Sequence, residues 1–149
     1  MPQNEKGAKA ERELLQILYN RGWAVVRSAG SGHNSLSPDI VAIKAGRVLA
    51  FECKAWDQNA LSIGKDQFET ILEWRRRSGQ AIYVAWRINR FGWCILDPTL
   101  FRFTTKNYVL SKRDALNKGI ALEDLAPEAP KAQEAPPEPE NAPPVAKTP

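Results

Sequence analysis

Between Lys6 and Asn20 the apolar residues Ala8, Leu14, Leu15, Ile17 and Leu18 recur at near-helical spacing, and Gly22 follows where the element would end. This pattern predicts a first helix. Three extended stretches come next, Trp23 to Ser28, Asp39 to Lys44 and Arg47 to Lys54, all rich in Val, Ile, Leu or Phe. Ala45-Gly46 is short enough to join the last two as a hairpin. Between the first two, Ala29 to Pro38 is dominated by Gly, Ser and Asn and predicts a mobile flap. Helical spacing returns from Lys65 to Ser78, where Phe68, Ile71, Leu72 and the aliphatic stem of Arg75 share one face and Gly79 supplies a stop. Ala81 to Arg87 and Trp93 to Leu96 are two more strands, joined by Ile88 to Gly92 and closed by Asp97-Pro98. Ser111 and Asp114 form a capping pair for a short helix reaching Lys118, with Gly119 after it. Helices interleaved with strands in this order make an α/β domain.

Length and composition refine that picture. A chain of 149 residues suits one domain with appended segments. Residues 126 to 149 contain 8 of the 11 prolines, interleaved with Ala and Glu and without aromatics, too little apolar area to offset the entropy of ordering. The expected division is a domain over 1–125, with its core in 6–98, and a disordered Pro/Ala/Glu-rich tail over 126–149. The formal charge is +4, but the tail carries four acids against two cations, so residues before it hold 19 Lys and Arg against 13 Asp and Glu. A domain with that surplus suits a polyanionic partner. Cys53 and Cys94 have neither zinc spacing nor a disulfide framework, which fits a reducing compartment. The apolar runs are too short to span a membrane and Met1 to Lys6 has no signal-peptide pattern, so the expected location is the cytoplasm.

Chemistry concentrates where Pro38-Asp39 opens one strand and Glu52-Cys53-Lys54 closes the next. With a turn near Ala45-Gly46, Asp39 and Glu52 lie six or seven positions from the tip on opposite strands and face each other. Strand alternation puts Glu52 and Lys54 on one side of the sheet and Cys53 on the other. Two acids brought together repel unless a cation separates them. A divalent metal held against a scissile phosphate stabilises charge and acidifies water, and a lysine orients that water or neutralises the transition state. The pattern therefore points to phosphodiester hydrolysis, although its letters are common and its weight comes from context.

That context is a resemblance. Lys6-Gly7-Ala8-Lys9-Ala10-Glu11-Arg12-Glu13-Leu14, Gly22 to Ser31, Pro38-Asp39-Ile40-Val41-Ala42 and Phe51-Glu52-Cys53-Lys54 resemble the archaeal Holliday junction resolvase (Hjc) family, and the likeness runs from about Lys6 to Pro98. It implies a restriction-endonuclease-like fold, a mixed five-stranded sheet flanked by helices, within the PD-(D/E)xK nuclease superfamily. It also implies a homodimer that sets two active sites against one four-way DNA junction and cuts by Mg²⁺-dependent hydrolysis, with Mn²⁺ as a substitute. By resemblance Glu11, Asp39 and Glu52 are metal ligands, joined by the Cys53 backbone carbonyl. Lys54 matches the catalytic lysine and Ser31 a flap serine near the scissile strand. Arg12 and Arg27 match DNA-contacting or catalytic cations, and Gln67 is carried over as a DNA contact. The implied setting is the nucleoid, where a sliding clamp or other recombination proteins are open as partners.

Simpler readings stand beside these. Pro-Asp alone begins strands, Glu11-Arg12-Glu13 is an ordinary charged helix face, and His33 is a plain loop residue. Arg75-Arg76-Arg77 is a solvated helix end more readily than a DNA rail. Phe68 and Leu72 suit either the core or a subunit contact, as do Trp56, Trp74, Trp86 and Trp93. The rival functions are a related nuclease acting on other branched, damaged or foreign DNA, and a non-catalytic DNA-binding scaffold of the same fold.

Overall fold

The computed structural model describes residues 2–28 and 36–128, so the flap residues Ser31 and His33 and nearly all of the Pro-rich tail lie outside the described residues. Helix α1 (Gln3–Asn20) leads into β1 (Ala24–Arg27), β2 (Ile40–Lys44), β3 (Arg47–Lys54) and β4 (Ala60–Gly64). Then come α2 (Lys65–Ser78), β5 (Ala81–Ile88), β6 (Gly92–Leu96), β7 (Arg102–Thr104) and β8 (Asn107–Ser111). The described residues finish with α3 (Lys112–Lys118), β9 (Ile120–Ala121) and α4 (Leu122–Leu125).

A six-stranded sheet in the order β1-β2-β3-β5-β6-β9 forms the platform, and a second sheet, β4-β8-β7, stands beside it. The large sheet is mixed, because β3 and β5 pair in parallel across the β4–α2 crossover while the other pairs are antiparallel. Its five principal strands are those the sequence predicts. The sixth, β9, adds only two residues beside Cys94 and Ile95. The small sheet was not expected, since β7 is three residues long and periodicity is weak over so short a stretch.

Strand alternation splits the core into two clusters, one on each face of the large sheet. On one face α1 buries Leu14 and Leu18, a turn apart, against Ile40, Ala42, Leu49 and Phe51. On the other, α2 buries Phe68 and Ile71 against Ala50, Val84, Trp86 and the small sheet's Leu61, Ile63 and Leu110. Phe68 stacks on Tyr108 with ring centroids 4.0 Å apart, so this phenylalanine belongs to the core, while Leu72 is 37% exposed. Ala126, assigned to the tail from sequence, is buried in the α1-face cluster.

Local chemistry ends the elements as expected in most places. Gly79 takes a left-handed φ of 66° and its N–H donates to the Arg75 carbonyl at 3.0 Å, closing α2. Ser111 caps α3 by accepting from the Asp114 N–H at 3.1 Å. Gly119 ends α3 for another reason. Its φ is −70°, open to any residue, but a Cβ there would overlap the Cys94 sulfur and the Ala115 carbonyl.

Candidate active site

The β2–β3 hairpin turns through Ala45 at φ 48° and Gly46 at φ 79°, with Lys44 opposite Arg47. Left-handed φ at both turn residues marks a two-residue hairpin of the type that matches strand twist. This fixes the register: Ile40 pairs with Phe51, so the next position outward sets Asp39 opposite Glu52. A one-residue slip would send these side chains to different faces. Asp39 and Glu52 therefore share the α2 face with Lys54, and Cys53 packs into the α1-face cluster.

Three contacts organise the site. The Asp39 carboxylate accepts the Cys53 backbone N–H at 2.8 Å, which holds it against the end of β3. The Gln67 side-chain amide donates to Glu52 Oε1 at 2.9 Å, and the Lys54 ammonium donates to Gln67 Oε1 at 3.1 Å. Gln67 thus stands between an acid and a base that occupy the same strand face two residues apart. Its position near the start of α2, rather than anything in its local sequence, puts it there, and the contact with both groups was not foreseen.

Electrostatics of the pair are unfavourable without a cation. Burial raises Asp39 above the usual carboxylate range against the Cys53 hydrogen bond, and the nearby Glu11 raises it further. Burial, then the charge of Asp39, pushes Glu52 up to about 8, although Lys54 and Gln67 pull it down. Two carboxyls that prefer to keep a proton between them are suited to take a divalent ion instead. Mg²⁺ retains several waters and is commonly held by only one or two carboxylates together with phosphate oxygens, so this donor set fits it. Among the described residues no group of three His, Cys, Asp or Glu side chains forms a ready-made cage.

Glu11 is engaged with a cation. Its carboxylate accepts from Arg27 Nε at 3.0 Å, a pair on the α1 side of the sheet edge, where Arg27 is opposite Ile40. Glu11 is near enough to raise both Asp39 and Glu52 yet is held by the guanidinium. Arg12 is exposed beside it. Below the flap, Ser28 and Ser37 hydroxyls meet at 3.0 Å and close the loop's base. The α2 arginines are paired, Arg75 with Asp97 and both Arg76 and Arg77 with Glu73.

With this geometry in view, comparison with known proteins is decisive. A family model described as archaeal Holliday junction resolvase (Hjc) matches residues 2–134. The chain belongs to the archaeal Holliday junction resolvase family. It is 35% identical over 118 residues to the crossover junction endodeoxyribonuclease Hjc of Methanocaldococcus jannaschii, covering 79% of this chain and 83% of that protein. It is 33% identical over 108 residues to the Hjc of Archaeoglobus fulgidus, covering 72% and 79%. The solved structure of that Archaeoglobus protein, a Holliday junction resolvase, superposes with a TM-score of 0.73 at 28% identity, covering 85% of this chain and 99% of that one. A bacterial homing endonuclease, I-Ssp6803I, shares the fold with a TM-score of 0.50 at 14% identity. Family and nuclease fold both agree with the sequence expectation.

Proposed function

We propose that this chain is a structure-selective endonuclease that resolves four-way DNA junctions by Mg²⁺-dependent hydrolysis, one phosphodiester per subunit. The observation that carries the chemistry is the pairing of Asp39 with Glu52 across the hairpin, on the face that also presents Lys54. Asp39, Glu52 and the Cys53 backbone carbonyl are the proposed metal ligands. A bound Mg²⁺ would supply charge stabilisation at the phosphoryl oxygens and a water of lowered pKa.

The chain's own residues do the rest. Gln67 keeps the Lys54 ammonium from closing onto Glu52, which leaves a positive charge available to the phosphate. Arg27 is the DNA-contacting cation on the other side of the sheet edge. When a phosphate draws its guanidinium away, Glu11 is freed toward the acids it already influences. Arg12 extends the basic rim, and Ser31 in the flap is assigned to the scissile strand. Such contacts to backbone carry no base sequence, so selectivity rests on matching arm geometry.

Matching four arms takes two sites. The α2 face of β1 and β2 extends past α2 and leaves Val26 62% and Ile43 43% exposed as neighbours on one surface. That patch supports a homodimer through this face, in keeping with closed two-fold assembly. No helix among the described residues is long and apolar enough to cross a membrane.

Cleavage of matched four-way junction, linear duplex and flap DNA, each with Mg²⁺ and with chelator, tests the proposal. Metal-dependent paired nicks confined to the junction are expected. Equal cutting of all three substrates would reject junction selectivity, and binding without cutting would favour the scaffold.

A further inference from the structure

Between Asp97 and Asp114 the chain carries Arg102, Lys106, Lys112 and Arg113 and no acid at all. This stretch builds β7, β8 and the start of α3. Tyr108 and Leu110 face inward, with Tyr108 stacked on Phe68. Arg102, Thr104, Asn107 and Val109 consequently form the outer face, with Arg102 opposite Val109 and Thr104 opposite Asn107. Lys106 is at the hairpin tip, and both cations are exposed. Among the described residues neither makes a salt bridge, in contrast to the arginines of α2, where Glu73 pairs with both Arg76 and Arg77.

The hairpin is also fastened beside the reacting groups. The Lys65 N–H donates to the Lys106 carbonyl at 3.1 Å, which ties the tip to the first residue of α2. Gln67, the residue joining Glu52 to Lys54, follows about 3 Å further along the helix axis. The other outer-face side chains of the hairpin, Thr104, Asn107 and Val109, carry no charge, so Arg102 and Lys106 supply all of its positive potential.

We propose that the β7–β8 hairpin, through Arg102 and Lys106, is a second DNA-backbone contact that seats a duplex arm beside the scissile phosphate. The proposal rests on the junction-nuclease reading. A rail braced against α2 would hold the arm in fixed relation to Lys54, so it contributes to binding and leaves the chemical step alone.

The test uses the full chain with chelator, so that binding is read without cutting. Fluorescence anisotropy on a labelled four-way junction gives affinity across a salt series for wild type, Arg102→Gln/Lys106→Gln and Arg76→Gln/Arg77→Gln. The two double variants lose the same charge from different places. Each phosphate contact adds about 0.9 to the salt slope and the hairpin variant removes two from each subunit of the dimer, so it should lose about 3.6, making its affinity ratio between about 50 and 200 mM salt roughly 150-fold smaller than that of wild type. The α2 variant should lose much less. Unchanged melting temperature establishes that the variants are folded, as expected for exposed side chains. Equal slopes for wild type and the hairpin variant, or equal losses in both variants, overturn the proposal. Wild type that leaves junctions uncut when Mg²⁺ replaces the chelator overturns the nuclease reading itself, whatever the salt slopes.

Discussion

The two ends of the β2–β3 hairpin are governed by opposite priorities. At the turn, every nearby charge has a use in folding: the Lys44 ammonium donates to the Arg21 carbonyl at 2.8 Å, and Arg47 donates to the Leu125 carbonyl at 3.2 Å. Both cations also lie over the Trp23 ring, within about 6 Å of its centre. At the open end, Asp39 and Glu52 oppose each other, partly buried, and each is raised by burial and by neighbouring acids. One end is arranged for stability, the other against it. Such local conflict in an otherwise consistent fold marks a functional site.

Removing an acid at the open end should have the largest effect. Asp39→Ala is expected to lower junction cleavage by at least about a thousandfold, because it removes a proposed metal ligand. Junction affinity measured with chelator should hold or rise, since a negative charge near phosphate has gone. Lost affinity in a folded variant would mean that the open end binds DNA rather than reacting with it.

Metal and pH sharpen the same contrast. Glu52 moves from an ordinary 4.5 to about 8 on folding, so between those values the folded state holds more protons than the unfolded state. Without metal, the Glu52 contribution to stability should therefore be fully present below about pH 4.5 and be lost as pH rises toward 8. Saturating Mg²⁺, at about a hundred times its Kd, should add about 2.7 kcal/mol at pH 8 and little near pH 5, where protons occupy the acids. Thermal melts of wild type and Asp39→Ala check this. Equal Mg²⁺ stabilisation of both would place the ion elsewhere.

A smaller loss follows from Gln67. Gln67→Leu keeps the side-chain bulk but removes both hydrogen bonds, letting Lys54 close onto Glu52. We expect kcat to fall about tenfold, about 1.4 kcal/mol of barrier, with junction affinity unchanged. A change in affinity alone would restore Gln67 to the role of a DNA contact.

The face-to-face acids were legible because a two-residue turn fixes register and alternation fixes face, so Ala45-Gly46 and the letters of Pro38-Asp39 and Glu52-Cys53-Lys54 sufficed. Both long helices and the five main strands followed from periods sustained over enough residues. The small sheet escaped, although Leu61 and Ile63 alternate, as do Tyr108 and Leu110, because the stretches are short and their partners are distant in sequence. Gln67 was found only through resemblance, and its bridge depends on how α2 docks, which no local pattern encodes. The Arg27–Glu11 pair likewise joins α1 to β1 across the sheet edge, a tertiary relation that charge order along the chain does not specify.

The least of these effects belongs to the turn. Ala45 occupies a left-handed conformation, φ 48°, where a Cβ crowds the backbone, whereas Asn tolerates that region through local side-chain hydrogen bonds. Ala45→Asn creates the Asn-Gly pair favoured in such turns and should stabilise the protein by about 0.5–1 kcal/mol, read as a rise of a few degrees in Tm. Because Ala45 is exposed and six register positions from Asp39, cleavage rate should be unaltered. A stabilised hairpin that also cut faster or slower would mean that the two ends communicate through the strands, and that the folding end is not independent of the reacting one.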